Sequence, residues 1–405
     1  MLNRLFIFLC LLPKILPAQK APNILPENNP MKDTSRQRDL LDVVKTIVHI
    51  NPKKVREERE RKIYFSILPF GDAPGGTGRA LVTSTTVGIY LGSKQTTHKS
   101  TGTFAPYWNF KGRFGLPLRT NVWLPGNTWL IQGDVRLLVY PQHTWGIGNT
   151  PDNNDKVLVS YNYIRFHQAA LKRITPHFYI GPGYRLDYRF NIRTDDTARD
   201  LKTFTGYNYG TGKHSFSSGV TLNVLYDTRN RDIEPFPGWY GNLVYRINPS
   251  FLGNNEYWHS LYLDVRKYFA LNPLKRNQQN TLAFWSYFWT VLDNGVPYLD
   301  LPSTGWDAYN RSARGIDQNR YRGKSLFYLE GEYRRDITRD GLLGFVVFSN
   351  VNTVAGSGNF FSSWHPAAGT GIRIKFSKVS NTNLGIDVGF SKGYQAVIIN
   401  LSEAF

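Results

Sequence analysis

The chain has 405 residues, a net charge of +19 and an aromatic content of 15%. It contains no run of 18 apolar residues, which excludes helices that span a membrane. Its mean hydropathy is only -0.37 despite the many aromatic residues, a combination typical of a membrane β-barrel with an apolar outer band and a polar interior. A water-soluble β-sandwich would more often show long internal repeats, and the sequence shows none.

Residues 1–18 are predicted to be a signal peptide. They contain Arg4, an apolar core from Leu5 to Leu12 and a small residue, Ala18, at the expected cleavage position. Eight apolar residues are too few for a helix that crosses a bilayer of about 30 Å. Cys10 is the only cysteine and lies within this segment, so we expect no disulfide or thiolate chemistry in the mature chain.

The excess of positive charge would ordinarily indicate nucleic-acid binding. An exported chain leaves the compartment that contains nucleic acid, so we predict no nucleic-acid partner. Outer-membrane lipid headgroups and acidic partners are better candidates, and a solvated lumen explains the charge equally well.

Residues 19–79 are predicted to form a separate, periplasmic segment of 61 residues. Asp39 could cap a short amphipathic helix whose apolar side carries Leu40, Leu41, Val44, Ile47 and Val48. A run of mixed charge follows in residues 53–62. That run is either a solvated helix or a docking and headgroup-binding segment.

From about residue 80 the apolar residues alternate with a period of two, which predicts β-strands. In 178–190, Leu186 and Tyr188 share the apolar face, whereas Arg185, Asp187 and Arg189 share the other. A wet or salt-bridged lumen accommodates such charges, whereas a sandwich core does not. We therefore predict that residues 80–405 form an all-β, antiparallel transmembrane barrel of the outer membrane with about sixteen strands.

The last residues also alternate, with Val397, Ile399, Leu401 and Phe405 on one face. A terminal strand that ends on an aromatic residue is typical of outer-membrane barrels. The predicted closing seam joins this strand, Val397 to Phe405, to a first strand near Leu81 to Leu91. The longest connection, from about Leu292 to Lys324, is predicted to be functional because loops of that length commonly are.

The end of this loop carries the most specific motif. It reads Ala313-Arg314-Gly315-Ile316, then Arg320-Tyr321-Arg322, and the next strand contains Glu330-Gly331-Glu332-Tyr333-Arg334. These segments resemble the BamA/TamA-like outer-membrane proteins, also called bacterial surface antigen barrels, whose inward-folded loop carries a Val-Arg-Gly-Phe/Tyr motif. Ala313 and Ile316 replace the usual flanking residues, whereas Arg314 and Gly315 are kept.

Three further segments are similar to this family. They are Asp227-Thr228-Arg229 followed by Pro237-Gly238, the segment from Gly369 to Arg373, and the segment from Leu384 to Gly389, which includes Asp387. The first matches a strand–turn element and the other two match late strands. The resemblance covers about residues 80–405.

The resemblance implies that the loop arginine pairs with an acidic residue of the inner wall. At the matching position this chain has Asn350, a neutral acceptor that would give a weaker pair. Glu330, Glu332 and Asp387 are the alternative partners for Arg314, and Arg334 and Arg373 belong to the same predicted wall. Independently of the family, Gly315 permits close approach to the wall or a positive φ.

The resemblance also implies a function without catalysis. We expect assistance in the assembly, insertion or translocation of proteins or lipids at the outer membrane, through the lateral seam and the Arg-Gly loop. Client outer-membrane proteins or insertase subunits are the expected partners. The alternative is a passive pore or a structural accessory subunit. Residues 19–79 are short for a periplasmic POTRA repeat and lack its strand pattern, which favours the accessory version.

An enzyme is not expected. The eight histidines are scattered, and there is no Gly-x-Ser-x-Gly motif. Alternation places His259 and Ser260 on opposite faces of one strand, so that they cannot act together. The histidine spacings do not indicate a metal site, and we predict no cofactor.

Overall fold

The structure is a computed structural model that describes most of the chain. The described residues are 37–47, 63–68, 71–72, 79–82, 84–109, 112–152, 155–196, 198–229, 237–272, 278–355, 361–378, 382–401 and 403–405. The predicted signal peptide (1–18) and the charged run (53–62) lie outside these residues. No helix in the described part of the chain is long and apolar enough to cross a membrane.

Twenty strand segments in the described part form sixteen strands, because four strands consist of two segments that pair with the same neighbours. The strands are β1 (Ile63–Leu68 and Gly71–Asp72), β2 (Arg79–Val82 and Ser84–Ile89), β3 (Ser100–Phe104 and Tyr107–Trp108), β4 (Phe114–Trp123), β5 (Trp129–Val139 and Gln142–Thr144), β6 (Val157–Thr175), β7 (Phe178–Thr194), β8 (His214–Asp227), β9 (Gly238–Asn248), β10 (Trp258–Ala270), β11 (Asn280–Val291), β12 (Ser325–Asp336), β13 (Leu343–Ala355), β14 (His365–Ser377), β15 (Thr382–Ser391) and β16 (Tyr394–Leu401). Among the described residues, the helices are α1 (Leu40–Ile47), α2 (Leu201–Thr205) and three 3-10 turns, Pro125–Asn127, Ser250–Leu252 and Tyr298–Asp300.

Each strand pairs antiparallel with the next strand along the chain, from β1 to β16. The alternation seen in the sequence places the side chains as predicted. Asp187 and Arg189 are buried in the interior, whereas Val220 and Leu222 of the next strand are about half exposed on the outside. The predicted all-β outer-membrane barrel of about sixteen strands is therefore confirmed.

The first strand begins earlier than predicted. Strand β1 starts at Ile63, so the sheet extends before the boundary that we placed at residue 80. Leu81 belongs to β2, where it pairs with Trp108, and Leu91 lies beyond the end of that strand. The edge that faces β16 is β1, and its Gly71–Asp72 segment lies beside β16. The predicted seam residues Leu81 and Leu91 therefore do not lie on the strand that faces β16, whereas Val397 belongs to β16 and its place at the seam stays a prediction.

The predicted terminal strand also ends early. Strand β16 ends at Leu401, and Phe405 is buried inside the barrel rather than exposed to lipid. The reason is Glu403, which has the same parity as Val397 and would face lipid if the strand continued. A carboxylate on the lipid face is unfavourable, so the chain turns inward after β16.

Helix α1 packs on one end of the barrel. Its cap is Asp39, whose Oδ1 accepts a hydrogen bond from the backbone N–H of Asp42 at 2.8 Å. Lys378, in the turn after β14, donates from Nζ to Asp42 at 2.6 Å and from its backbone N–H to Asp39 at 2.9 Å. Strand β16 ends at the same end of the barrel because antiparallel strands alternate in direction.

Candidate functional site

The connection between β11 and β12, residues 292–324, lies inside the barrel. Polar contacts fix its first half to strands β5 to β8. The Tyr298 hydroxyl hydrogen-bonds Thr144 at 2.6 Å, and Arg189 donates to Asp300 at 2.7 Å. The Trp306 indole N–H donates to Gln142 at 3.1 Å. The loop therefore fills the lumen instead of extending from the rim.

Arg314 is the centre of the site. Its side chain is 2% exposed and contacts three wall carboxylates at once. Its guanidinium donates to Glu330, to Glu332 at 2.5 Å and to Asp387 at 2.7 Å. The guanidinium also lies 3.7 Å from the ring centroid of Phe348. Strands β12, β13 and β15 are thereby joined to one loop residue, as expected of a planar group with five donors.

Asn350 has a different role from the one predicted. Its side-chain amide donates to the backbone carbonyl of Arg314 at 3.0 Å and does not accept from the guanidinium. The three carboxylates already surround the guanidinium, so a neutral acceptor has no place there. The predicted alternative partners of Arg314, namely Glu330, Glu332 and Asp387, are the ones that it contacts.

Gly315 lets the loop touch the wall backbone to backbone. Its φ is +90°, and a Cβ built there would lie 2.7 Å from the backbone N of Phe390 and 2.9 Å from the carbonyl carbon of Gly389. Gly389 faces the same contact from β15, since a Cβ on it would lie 2.7 Å from the N of Gly315. Gly315 therefore has both a positive φ and a close approach to the wall, the two reasons given above for a glycine at this position.

Gly315→Ala is expected to destabilise the barrel. The left-handed conformation alone costs about 1–2 kcal/mol for a residue with a Cβ, and the clash with β15 adds to it. We expect a lower midpoint for urea unfolding, followed by tryptophan fluorescence in detergent. Gly241→Ala is the control, because a Cβ on Gly241 meets nothing within 4 Å. Equal midpoints for the two variants would contradict the close contact.

A second layer of charge surrounds the Arg314 group. Arg334 donates to Glu332 at 3.0 Å and to the backbone carbonyl of Phe405 at 3.0 Å. Arg373 donates to Asp387 at 2.5 Å and to Glu403 at 2.8 Å. All of these side chains are 3% exposed or less. The predicted wall residues thus form one connected network with the loop.

The sequence analysis missed Glu403. Burial raises the pKa of its carboxyl, but the guanidiniums of Arg373 and Arg334 outweigh burial and lower the pKa to about 2. Asn383 donates to the same carboxylate at 2.9 Å, and Arg311 of the loop donates to the Glu403 backbone carbonyl at 2.6 Å. One sequence signal could have revealed its role. Alternation along the last strand assigns Glu403 to the lipid-facing side, where a carboxylate is unfavourable.

The remaining loop residues are divided between the core and the lumen. Ile316 is buried in the apolar cluster that includes Trp285 and Phe405. Arg322 is 1% exposed and donates to the backbone carbonyl of Tyr298 at 2.8 Å. The other two motif residues form ring contacts: Arg320 lies over the Trp145 ring, and Tyr321 stacks on His365 with 3.7 Å between ring centroids.

The strand–turn motif forms a separate unit between β8 and β9. Arg229 pairs with Asp227 through two hydrogen bonds of 2.9 and 2.8 Å. Gly238 packs against this turn, because a Cβ there would lie 2.9 Å from the carbonyl oxygen of Thr228. Pro237 is exposed beside it. This unit stabilises a turn and does not join the Arg314 network.

These features define the class of the protein, an outer-membrane β-barrel with a loop held inside its lumen by buried ion pairs. Among solved structures, the chain is similar to CdiB from Acinetobacter baumannii, with a TM-score of 0.55, 13% sequence identity and coverage of 84% of this chain and 60% of that chain. It is also similar to BamA from Haemophilus ducreyi lacking POTRA domains 1-3, with a TM-score of 0.49, 11% identity and coverage of 89% of this chain and 78% of that chain.

The chain thus spans 60% of the length of the CdiB structure that it matches. At these identities the likeness concerns the fold. No protein-family model matches the sequence, and no curated protein sequence matches it either. The likeness to CdiB is consistent with the barrel fold, and the resemblance of the motifs to BamA/TamA-like barrels stays a prediction.

Proposed function

We propose that this protein assists the assembly, insertion or translocation of proteins or lipids at the outer membrane, with the part of residues 19–79 that precedes β1 on the periplasmic side. The lateral seam between β1 and β16 is the working edge. Client outer-membrane proteins are the proposed partners, and no chemical step is involved. The proposal is supported by the ion pairs that connect the loop, the barrel wall and the end of the last strand.

The observation that carries the proposal is the link between Arg314 and the tail of β16. Arg314 and Arg373 both bind Asp387, and Arg373 also binds Glu403, two residues after β16 ends. The position of the seam strand is therefore coupled to the position of the loop. An incoming strand can pair with an edge that opens, because unpaired backbone groups of an edge strand template β-augmentation.

A passive pore is less well supported. The loop occupies the lumen and contacts opposite walls, through Tyr298 on one side and Arg314 on the other. An accessory subunit remains the second candidate, since α1 is docked on the barrel end by Lys378. An accessory subunit would co-purify with insertase components and would not accelerate client insertion when reconstituted alone.

Site-specific photo-crosslinking in vesicles tests the proposal. A benzophenone amino acid at Val397 lies on the lipid-facing side of β16, and one at Leu222 lies on the lipid-facing side of β8, across the barrel from the seam. The two side chains are similarly exposed, at 57% and 50%. We expect an unfolded outer-membrane barrel protein, added during its insertion, to crosslink at position 397 and not at 222.

The same vesicles should speed client folding relative to vesicles without the protein. Equal crosslinking at both positions would show that contact with the client is nonspecific. Unchanged folding rates together with no crosslink at 397 would refute the insertase function and leave the accessory role.

A further inference from the structure

The wall opposite the Arg314 network carries an excess of positive charge. Around Arg314, three arginines face four carboxylates, counting Glu403. Across the described parts of β4 to β9, five arginines at the middle level of the lumen face only two carboxylates, Asp134 and Asp187. The five are Arg119, Arg136, Arg165, Arg185 and Arg246. We name this surface the basic wall.

Two of the five arginines are fully engaged. Arg136 forms a bidentate pair with Asp134, at 2.7 and 2.6 Å, and donates also to Asn310 of the loop. Arg246 donates to Asp187 at 2.7 Å and to Asn248 at 2.9 Å. Asp187 also binds the Tyr163 hydroxyl and, at 3.0 Å, the His167 ring, so both aspartates have closer partners than Arg165.

The other three arginines have donors to spare. Arg165 donates from Nε to the Tyr163 hydroxyl at 2.7 Å, but it is 3.4 Å from Asp134 and 3.5 Å from Asp187, longer than a good charged hydrogen bond, so its terminal nitrogens have donors left. Arg119 is 3.9 Å from Asp134, and its Nε–H has no acceptor. The Arg185 guanidinium has no hydrogen bond or salt bridge to any described residue.

Strand register brings these donors together. Arg119, Asp134, His167 and Arg185 lie in one row across β4 to β7. Arg165 directly faces Asp187 and is therefore the diagonal neighbour of Arg185, at about 7–8 Å between Cα atoms. Adjacent strands are about 4.8 Å apart, so the row spans about 14 Å. The side chains of Arg119 and Asp134 are 30% and 20% exposed, which shows that solvent reaches this part of the lumen.

We propose that the basic wall binds a phosphate group, as a soluble phosphate ester or as a phosphorylated lipid headgroup. Arg165 and Arg185 supply the donors, and Arg119 adds attraction along the row. Charges inside proteins are normally paired, and the loop brings only the carbonyl of Ala308 and the ring of Tyr309 to Arg119. The planar guanidinium matches phosphate geometry with two parallel hydrogen bonds, which makes arginine the residue of choice for phosphate recognition. This proposal does not depend on the proposed function.

Calorimetry of the full chain, folded in a neutral detergent, tests the proposal with two probes, inorganic pyrophosphate and short-chain phosphatidylglycerol. We expect at least one of them to bind, and Arg185→Gln to weaken its binding by about tenfold or more, since charge-assisted hydrogen bonds are strong. Arg199→Gln is the matched control, because it removes the same charge from an exposed loop where Arg199 pairs with Asp155 and Asp196. That control should bind like the unmodified chain.

The two probes distinguish the sources of the ligand. Binding of pyrophosphate identifies a site for soluble phosphate esters, whereas binding of phosphatidylglycerol alone identifies a headgroup site. Arg185→Gln should fold, because the Arg185 guanidinium forms no hydrogen bond or salt bridge with a described residue that the substitution would leave unpaired. Should it fail to fold, the unmodified chain must still melt at a higher temperature with the probe that binds, pyrophosphate or phosphatidylglycerol, than without that probe at equal ionic strength. Absence of binding by both probes, or equal losses in Arg185→Gln and Arg199→Gln, overturns the proposal.

Discussion

Replacement of Arg314 by methionine is expected to destabilise the barrel by about 3–5 kcal/mol, because it leaves buried carboxylates without their central cation. Glu330, Glu332 and Asp387 are each less than 2% exposed and lie around the same guanidinium. Their mutual repulsion cannot be relieved by water. The measurement is the urea midpoint of the folded band on unheated gels, in lipid vesicles.

Arg320→Met is the matched control within the same loop. Arg320 contacts the rings of Trp145 and Tyr321 and has no salt bridge to any described residue. Its loss should cost about 0.5–1 kcal/mol, as for an exposed cation–π contact.

A double variant separates charge from packing. Arg314→Met combined with Glu330→Gln removes one orphaned carboxylate, so it should be more stable than Arg314→Met alone. Purely additive losses in the double variant would show that Arg314 acts by filling space and not by neutralising charge.

Local patterns in the sequence predicted most of the barrel. Alternation with a period of two is set by each strand alone, so the inward positions of Arg185, Asp187 and Arg189 followed without knowledge of any partner strand. The length of the loop predicted only that it is functional, and its inward fold was what the resemblance carried by Arg314-Gly315 implied. Its backbone contact with Gly389 agrees with the physical reason given for the glycine.

Other features depend on contacts between distant residues. Strand β1 was missed because Pro69 and Gly71 interrupt its alternation, so only its pairing with β2 identifies it. Which carboxylates meet Arg314 is decided by the register of β12 with β13 and of β14 with β15, and no local pattern reports that register. For the same reason, Asn350 was correctly predicted to lie beside Arg314 but was wrongly predicted to accept a hydrogen bond from the guanidinium. Its side-chain amide instead donates to the Arg314 backbone carbonyl.

Phe405 is the position where the sequence prediction and the structure give opposite experimental outcomes. Its ring packs on Trp285 and Tyr268, with centroid distances of 5.3 and 6.1 Å, and Arg334 lies 5.0 Å from its centroid. The residue is 5% exposed. Phe405→Ala therefore leaves a cavity in the core and should cost about 3–5 kcal/mol.

Phe284→Ala provides the comparison. Phe284 is 40% exposed on the outer face of β11, where lipid or detergent fills the space that the lost ring leaves. Without a cavity its loss should cost clearly less than that of Phe405. If Phe405 faced lipid, as the alternation alone suggests, the two variants would have similar urea midpoints. A lower midpoint for Phe405→Ala, with Phe284→Ala close to the unmodified chain, would establish that the tail after β16 is a structural part of the lumen, anchored where Glu403 meets Arg373.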